Sequence, residues 1–365
     1  MKRPATPPLP AFTLVEVLVA ASILIVMVGF MLSVASQTAR ILSSTSGKIE
    51  QFREARQGFE RMTTRLSQAT LNTYWDYDNA TTPQRYERRS ELRFISGNSQ
   101  DSGNLPGLIG NSGTKKRLGH CVFFNAPLGF AETVPNPRLG NALNTWGYFA
   151  EFDSDELSRP GFISDSLVPF KYRWRLMEFA EATEKFNVYN FTSGSVNGLP
   201  KSSSYKGLDW FQTSLQTSTA PIRVVAENVV ALVITPRLSK AEEIPLQTGN
   251  PDLSPLAPNY SYDSTASNAD ARLNPKNQLP PVLQVTMVAI DERSAESLKL
   301  DPSKWDLLGV STKFKNTASF TNDMSLASTQ PDSLEKKLVS LKAQYRIFTT
   351  NVHIRAAKWS REQKN

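Results

Sequence analysis

Cysteine is almost absent from this chain: Cys121 is the single one in 365 residues. No internal disulfide can form, and no cluster of thiolates can hold a metal. Histidine is nearly as scarce, with only His120 and His353, which leaves little material for histidine-based catalysis or ligation. The familiar catalytic signatures are missing as well: there is no Gly-x-Ser-x-Gly, no Walker loop and no His-Glu-x-x-His. The Gly-rich stretch Gly103–Gly113 neither follows a clear strand nor opens a helix, so it does not read as a phosphate cradle. Internal repeats are not visible. Charge is missing over one segment, since Val17 to Ala39 carries no Asp, Glu, Lys or Arg.

What is present fits a folded protein. Hydrophobic residues make up 40% of the chain, and its length supports one large domain or two modest ones. The net charge is +7, but the basic residues are spread along the whole chain. Dispersed charge of this kind reads as a solvated surface, and nucleic acid is not expected as a partner.

The N-terminus carries the strongest signal. Lys2 and Arg3 are the only charges before Glu16, and Pro4, Pro7, Pro8 and Pro10 prevent a regular helix there. The apolar run that follows is long enough, at ~1.5 Å per residue, to cross a hydrocarbon core of ~30 Å. It exceeds the h-region of a secretory signal, which is about 7–15 residues. The basic leader is expected to stay cytoplasmic and the remainder to be translocated. Glu16 does not suit a plain anchor, because an ionised carboxylate at membrane depth costs several kcal/mol without a partner.

The residues Pro10-Ala11-Phe12-Thr13-Leu14-Val15-Glu16 resemble the type IV prepilin cleavage motif. The resemblance implies a scissile bond between Ala11 and Phe12, cut by a prepilin peptidase, with N-methylation of the new Phe12 amine. It implies that Glu16, the fifth mature residue, sets the axial register of subunits. Phe12 and Glu16 are i and i+4, one turn apart on one helix face, so the carboxylate can neutralise an N-terminal ammonium. Ala11 stands where the family usually has Gly, and Ser33 where major pilins often have a kinking Pro.

Beyond the apolar run, Ile49, Phe52, Phe59, Met62, Leu66 and Ala69 recur at helical spacing within Lys48–Leu71, opposite a charged face. Gly47 and Gly58 weaken that helix locally. Strand-like runs follow at Glu91–Ser96, Cys121–Asn125, Trp146–Phe152, Lys171–Phe179, Ile222–Pro236, Val282–Asp291 and Tyr345–Ile354. Pro331–Gln344 reads as a helix that Asp332 or Ser333 can cap. Polar, loop-like stretches lie at Gly97–Gly113, Thr192–Gly207 and Ser239–Pro281.

This order resembles the J-type minor pseudopilins of type II secretion and the W-type minor pilins. The segments Leu279–Ala295 and Tyr345–Ser360 look like Verru_Chthon cassette protein C, a prepilin-type protein. The expected fold is α+β: a long N-terminal helix, transmembrane and then amphipathic, followed by a pseudopilin-like domain of antiparallel sheets with long loops. The expected divisions are a leader at 1–11, a membrane segment at 12–39, a periplasmic helix at 40–72 and a β-rich periplasmic domain at 73–365. The resemblance implies a structural subunit in the inner membrane, with a prepilin peptidase and other pilin-like subunits as partners. No enzymatic activity, cofactor or small-molecule substrate is expected. The alternative is a membrane-anchored periplasmic binding module that uses the long loops.

Three smaller constellations have two readings each. Asp153, Asp155 and Glu156 form an oxygen-rich turn that suits calcium but lacks the full EF-hand spacing, and a solvated turn is the simpler account. His120-Cys121 could form a catalytic Cys/His pair, but a structural pair at a strand start is the default, and His353 reads as a surface or edge residue. Tyr74-Trp75-Asp76-Tyr77 could stack on nucleic acid, although such aromatics more often close a helix end over a core.

Overall fold

The computed structural model describes residues 13–79, 81–100, 107–132, 140–156, 159–160, 162–163, 166, 168–186, 195–196, 199–200, 208–217, 219–243 and 256–360, with backbone alone at 39–51, 195–196 and 199–200. The chain divides into two compact units, Met1–Gln51 and Phe52–Asn365. One long helix, α1 (Leu14–Leu66), supplies the described part of the first unit and opens the second.

Within the second unit, the last turns of α1 bury Ala55, Phe59, Met62 and Leu66. Their spacing of four, three and four places them on a single face. Gly58 lies on the side facing a strand: a Cβ there would stand 3.0 Å from Val225 Cγ1 and 3.2 Å from Ala226 Cβ. What reads in sequence as a weak point is therefore a site of close approach. The helix stops short of Leu71. Its end tightens through Gln68 N–H to Arg65 O and Ala69 N–H to Leu66 O, and Thr70 N–H then donates to Asn125 O at 2.9 Å.

The unit is α+β, and all its strand pairings are antiparallel. A hairpin of β1 (Tyr74–Tyr77) and β2 (Tyr86–Arg89) comes first. Then come β3 (Ile95–Asn98), β4 (Lys116–Pro127), β5 (Leu143–Ser154) and β6 (Tyr172–Glu181). The strands β7 (Ser195–Val196) and β8 (Leu199–Pro200) pair with each other. After α2 (Asp209–Leu215) follow β9 (Ile222–Glu227), β10 (Val229–Arg237), α3 (Lys240–Glu243) and β11 (Tyr262–Asp263). The chain closes with β12 (Val282–Ile290), α4 (Glu292–Ser297), α5 (Phe320–Met324), α6 (Leu334–Ser340) and β13 (Tyr345–His353). One sheet has the order β11-β3-β4-β5-β6-β9 and the other β10-β12-β13.

The long central strands are buried nearly throughout, because both faces are covered. A first core joins the α1 face to Phe123, Phe149, Phe179, Phe211 and Leu283. A second core joins Val230, Ala231 and Val233 on β10 to Leu308, Phe314, Leu334 and Leu338.

Several expected elements change at their ends. Glu91–Ser96 becomes a strand only from Ile95. Ile222–Pro236 is not one strand: Asn228 takes φ +58 and splits it into β9 and β10, which belong to different sheets. Asn tolerates that left-handed geometry, and its Nδ2 donates to Glu292 Oε2 at 2.7 Å. Pro331–Gln344 shortens to α6. Asp332 bonds Lys313 Nζ at 2.7 Å, Ser333 makes no side-chain cap, and Lys342 at φ +55 turns the chain into β13. Tyr74–Tyr77 is a strand and not the closure of a helix end.

The two sheets meet where β4 bulges between Leu118 and Cys121. Gly119 has φ +63, and a Cβ there would lie 2.6 Å from Leu232 O on β10. Gly119→Ala should destabilise the protein by about 2–4 kcal/mol in chemical denaturation, since the added methyl meets backbone at a left-handed position. Gly140→Ala, with nothing within 4 Å of the added carbon, should change stability by less than about 0.5 kcal/mol.

Candidate functional site

The N-terminal helix begins with a reciprocal cap. Glu16 accepts from Thr13 N–H and Thr13 Oγ1, each at 2.9 Å, and Glu16 N–H donates back to Thr13 Oγ1 at 3.3 Å. This is the capping-box arrangement, which satisfies two donors that the first turn leaves open. Ala11 and Phe12 lie outside the described residues, so the expected scissile bond is not placed.

Behind the cap, Leu14–Thr38 contains an 18-residue window of mean hydropathy 2.8 and is long and apolar enough to cross a membrane. Its large side chains, among them Leu18, Leu24, Ile25, Phe30 and Leu32, are exposed. Three of its hydroxyl side chains turn inward on the helix itself. Ser22 Oγ donates to Val19 O, Ser36 Oγ to Ser33 O and Thr38 Oγ1 to Val34 O, each at 2.8 Å. Self-satisfied hydroxyls are what an apolar surrounding requires. Glu16 is the only charged side chain in this span.

The acidic turn does not converge. Asp153 is buried in β5 and accepts from Thr114 Oγ1 at 3.2 Å. Asp155 pairs with Arg159 Nε at 2.9 Å and accepts from Lys171 N–H at 2.9 Å. Burial pushes the Asp155 carboxyl up, but these two donors outweigh it and hold it below its ordinary range. Glu156 donates its backbone N–H to Ser154 Oγ. Among the described residues, no group of three or more His, Cys, Asp or Glu side chains gathers as a metal site.

His120 and Cys121 have separate structural roles. His120 Nδ1 accepts from Ile234 N–H at 3.0 Å and Nε2 meets Phe314 O at 2.9 Å, so the neutral Nε2–H form satisfies both neighbours. Burial drives its pKa down to about 4. Burial pushes the Cys121 thiol up to about 12, where it is not a nucleophile. His353 is exposed on the outer strand of its sheet. The described part of Ser239–Pro281 is built into the fold: β11 extends the larger sheet, Arg93 pairs with Asp263, and Tyr262 OH donates to Gln278 O at 2.9 Å.

The sequence gives no hint of one cluster. Glu178, fully buried on β6, accepts from Arg61 Nη2 at 3.0 Å, from Tyr148 OH at 2.6 Å, and from Arg65 and Arg223. The partners lie on three elements far apart in the chain, so no spacing rule could have joined them.

The buried histidine predicts a pH dependence. Its folded pKa lies below the ordinary 6.5, so the unfolded chain takes up the proton first on acidification. Its contribution, about 3 kcal/mol, is present above pH 6.5 and is lost as pH falls towards 4. Glu181 works in the opposite sense: burial raises its pKa to about 7, so its contribution is lost as pH rises from 4.5 to 7. Urea unfolding across this range should show the stability deficit of His120→Gln narrowing towards pH 4. The advantage of Glu181→Gln over wild type should grow towards pH 7.

No protein-family model matches the chain, and neither a curated protein nor a solved structure does.

Proposed function

We propose that the chain is a minor pilin-like or pseudopilin-like structural subunit of a type IV pilus or a type II secretion-like assembly. The observation that carries the reading is a single carboxylate, Glu16, capping the start of an exposed apolar span of 25 residues at the head of α1. Exposing that many large apolar side chains to water would cost on the order of tens of kcal/mol, so the segment belongs in a bilayer or among other apolar helices. A prepilin peptidase would cut between Ala11 and Phe12 and methylate the Phe12 amine. The Glu16 carboxylate already reaches back to the Thr13 backbone N–H, one residue from that amine. After cleavage it would hold the new ammonium of its own chain or of a neighbour and so fix axial register.

The compact α+β unit would lie in the periplasm, as a pseudopilin-like domain, with the leader in the cytoplasm and the helix crossing the inner membrane once. Its partners would be the peptidase and other pilin-like subunits, met through the apolar helix.

Mass spectrometry of the protein from its own membrane should find an N-terminus at Phe12, methylated or free. A protein still carrying Met1, or trimmed within Val17–Ala39, would remove the reading. Glu16→Gln separates the two jobs of this residue, because Gln keeps the cap but loses the charge. The charge model expects incorporation into the assembly to fall roughly tenfold or more in Glu16→Gln, as in Glu16→Ala. Normal incorporation of Glu16→Gln would reject the register role.

A further inference from the structure

The β1–β2 hairpin forms a sheet of its own, paired with neither of the larger sheets. Its register sets Trp75 opposite Arg88 and Tyr77 opposite Tyr86. Strand alternation therefore gathers Trp75, Tyr77, Tyr86 and Arg88 on one face. All three rings are in solvent: Trp75 is 65% exposed, Tyr86 62% and Tyr77 45%. The tyrosine rings stack with centroids 4.8 Å apart, and the Arg88 guanidinium stands 5.7 Å over the Trp75 ring. Cross-strand ring pairing helps a hairpin to form, and it accounts for Tyr77 with Tyr86. It does not account for a tryptophan left two-thirds exposed beside a cation.

Arg88 links this face to a recess of about 310 Å3. Its Nη1 donates to Gln278 Oε1 at 3.2 Å and to Lys358 O at 2.6 Å. The polar part of its lining includes the amides Asn72, Asn277 and Gln278, Thr73, and the two cations Arg88 and Lys358, and no carboxylate lines it among the described residues. The remaining arginines of the hairpin are matched locally. Arg85 meets Glu87 at 2.7 Å and Asp78 at 3.9 Å, and Arg89 meets Asp76 at 3.8 Å.

We propose that this face and the adjoining recess bind an acidic polysaccharide. Flat exposed rings suit the C–H faces of pyranose rings, and side-chain amides suit their hydroxyls. The two cations of the recess supply the charge for a sugar carboxylate. A single-stranded nucleic acid fits less well. Polyphosphate binding draws its strength from a row of cations along the strand. Here Arg85 and Arg89 are matched by Asp78, Glu87 and Asp76, so the hairpin offers no such row.

The test uses the full chain in detergent, run by affinity electrophoresis in gels containing polygalacturonate, alginate or neutral dextran. Retardation by at least one of the two polyuronates, exceeding that by dextran, is expected. Trp75→Ala and Tyr86→Ser remove exposed rings and should each weaken binding about tenfold. Lys358→Gln should weaken it too, and added salt should do so progressively. No retardation by either polyuronate would overturn the proposal. So would binding that both ring variants leave unchanged, or tighter binding of a mixed-sequence single-stranded DNA.

Discussion

One buried carboxylate anchors the last turns of α1 to the larger sheet. Glu178 receives Arg61 and Arg65 from the helix, Arg223 from β9 and Tyr148 from β5. Burial alone would favour its neutral form, but Tyr148, Arg65 and Arg223 outweigh that cost and hold the group below its ordinary range. Arg61 and Arg65 are i and i+4, so a single acceptor fixes the rotation of the helix about its axis. Trp146 completes the arrangement, with the Arg65 guanidinium 4.3 Å over its ring. Loss of Glu178 would leave three neighbouring cations without their shared acceptor, most costly for Arg65, the least exposed of them.

The seam between the sheets obeys a second constraint. A bulged strand, a left-handed glycine and a neutral histidine bring β4 against the backbone of β10. The imidazole serves there as a polar spacer between an N–H of β10 and the carbonyl of Phe314. Without it, two buried backbone groups would lack partners. The side chain that first invites a catalytic reading is thus consumed by the architecture.

Legibility in the sequence followed the range of the interaction. The apolar helix shows in composition alone, and Glu16 stands out because a charge is out of place there. The long central strands show because β-branched and aromatic residues are dense in them. Ends were less legible: Asn228 looks like any residue inside an apolar run, yet its positive φ moves the chain from one sheet to the other. Asp332 looks like a helix cap, but Lys313 competes for it and wins. The Glu178 cluster was hidden altogether, since its arginines lie 45 to 117 residues away. The hairpin rings were visible as aromatics but not as a solvent-facing set, because exposure depends on which surfaces the rest of the chain has already covered.

Gly58 has a mechanical consequence. With Val225 and Ala226 pressed against its bare backbone, the helix is notched into β9. Sliding by one turn would bring Glu54 or Met62 to the notch, and neither side chain fits the space that a hydrogen atom fills. Tension along the helix axis would therefore be resisted by shape as well as by ion pairs. Shape does not weaken with ionic strength, so the last turns of α1 should stay seated on the sheet under load in salt that loosens the arginines.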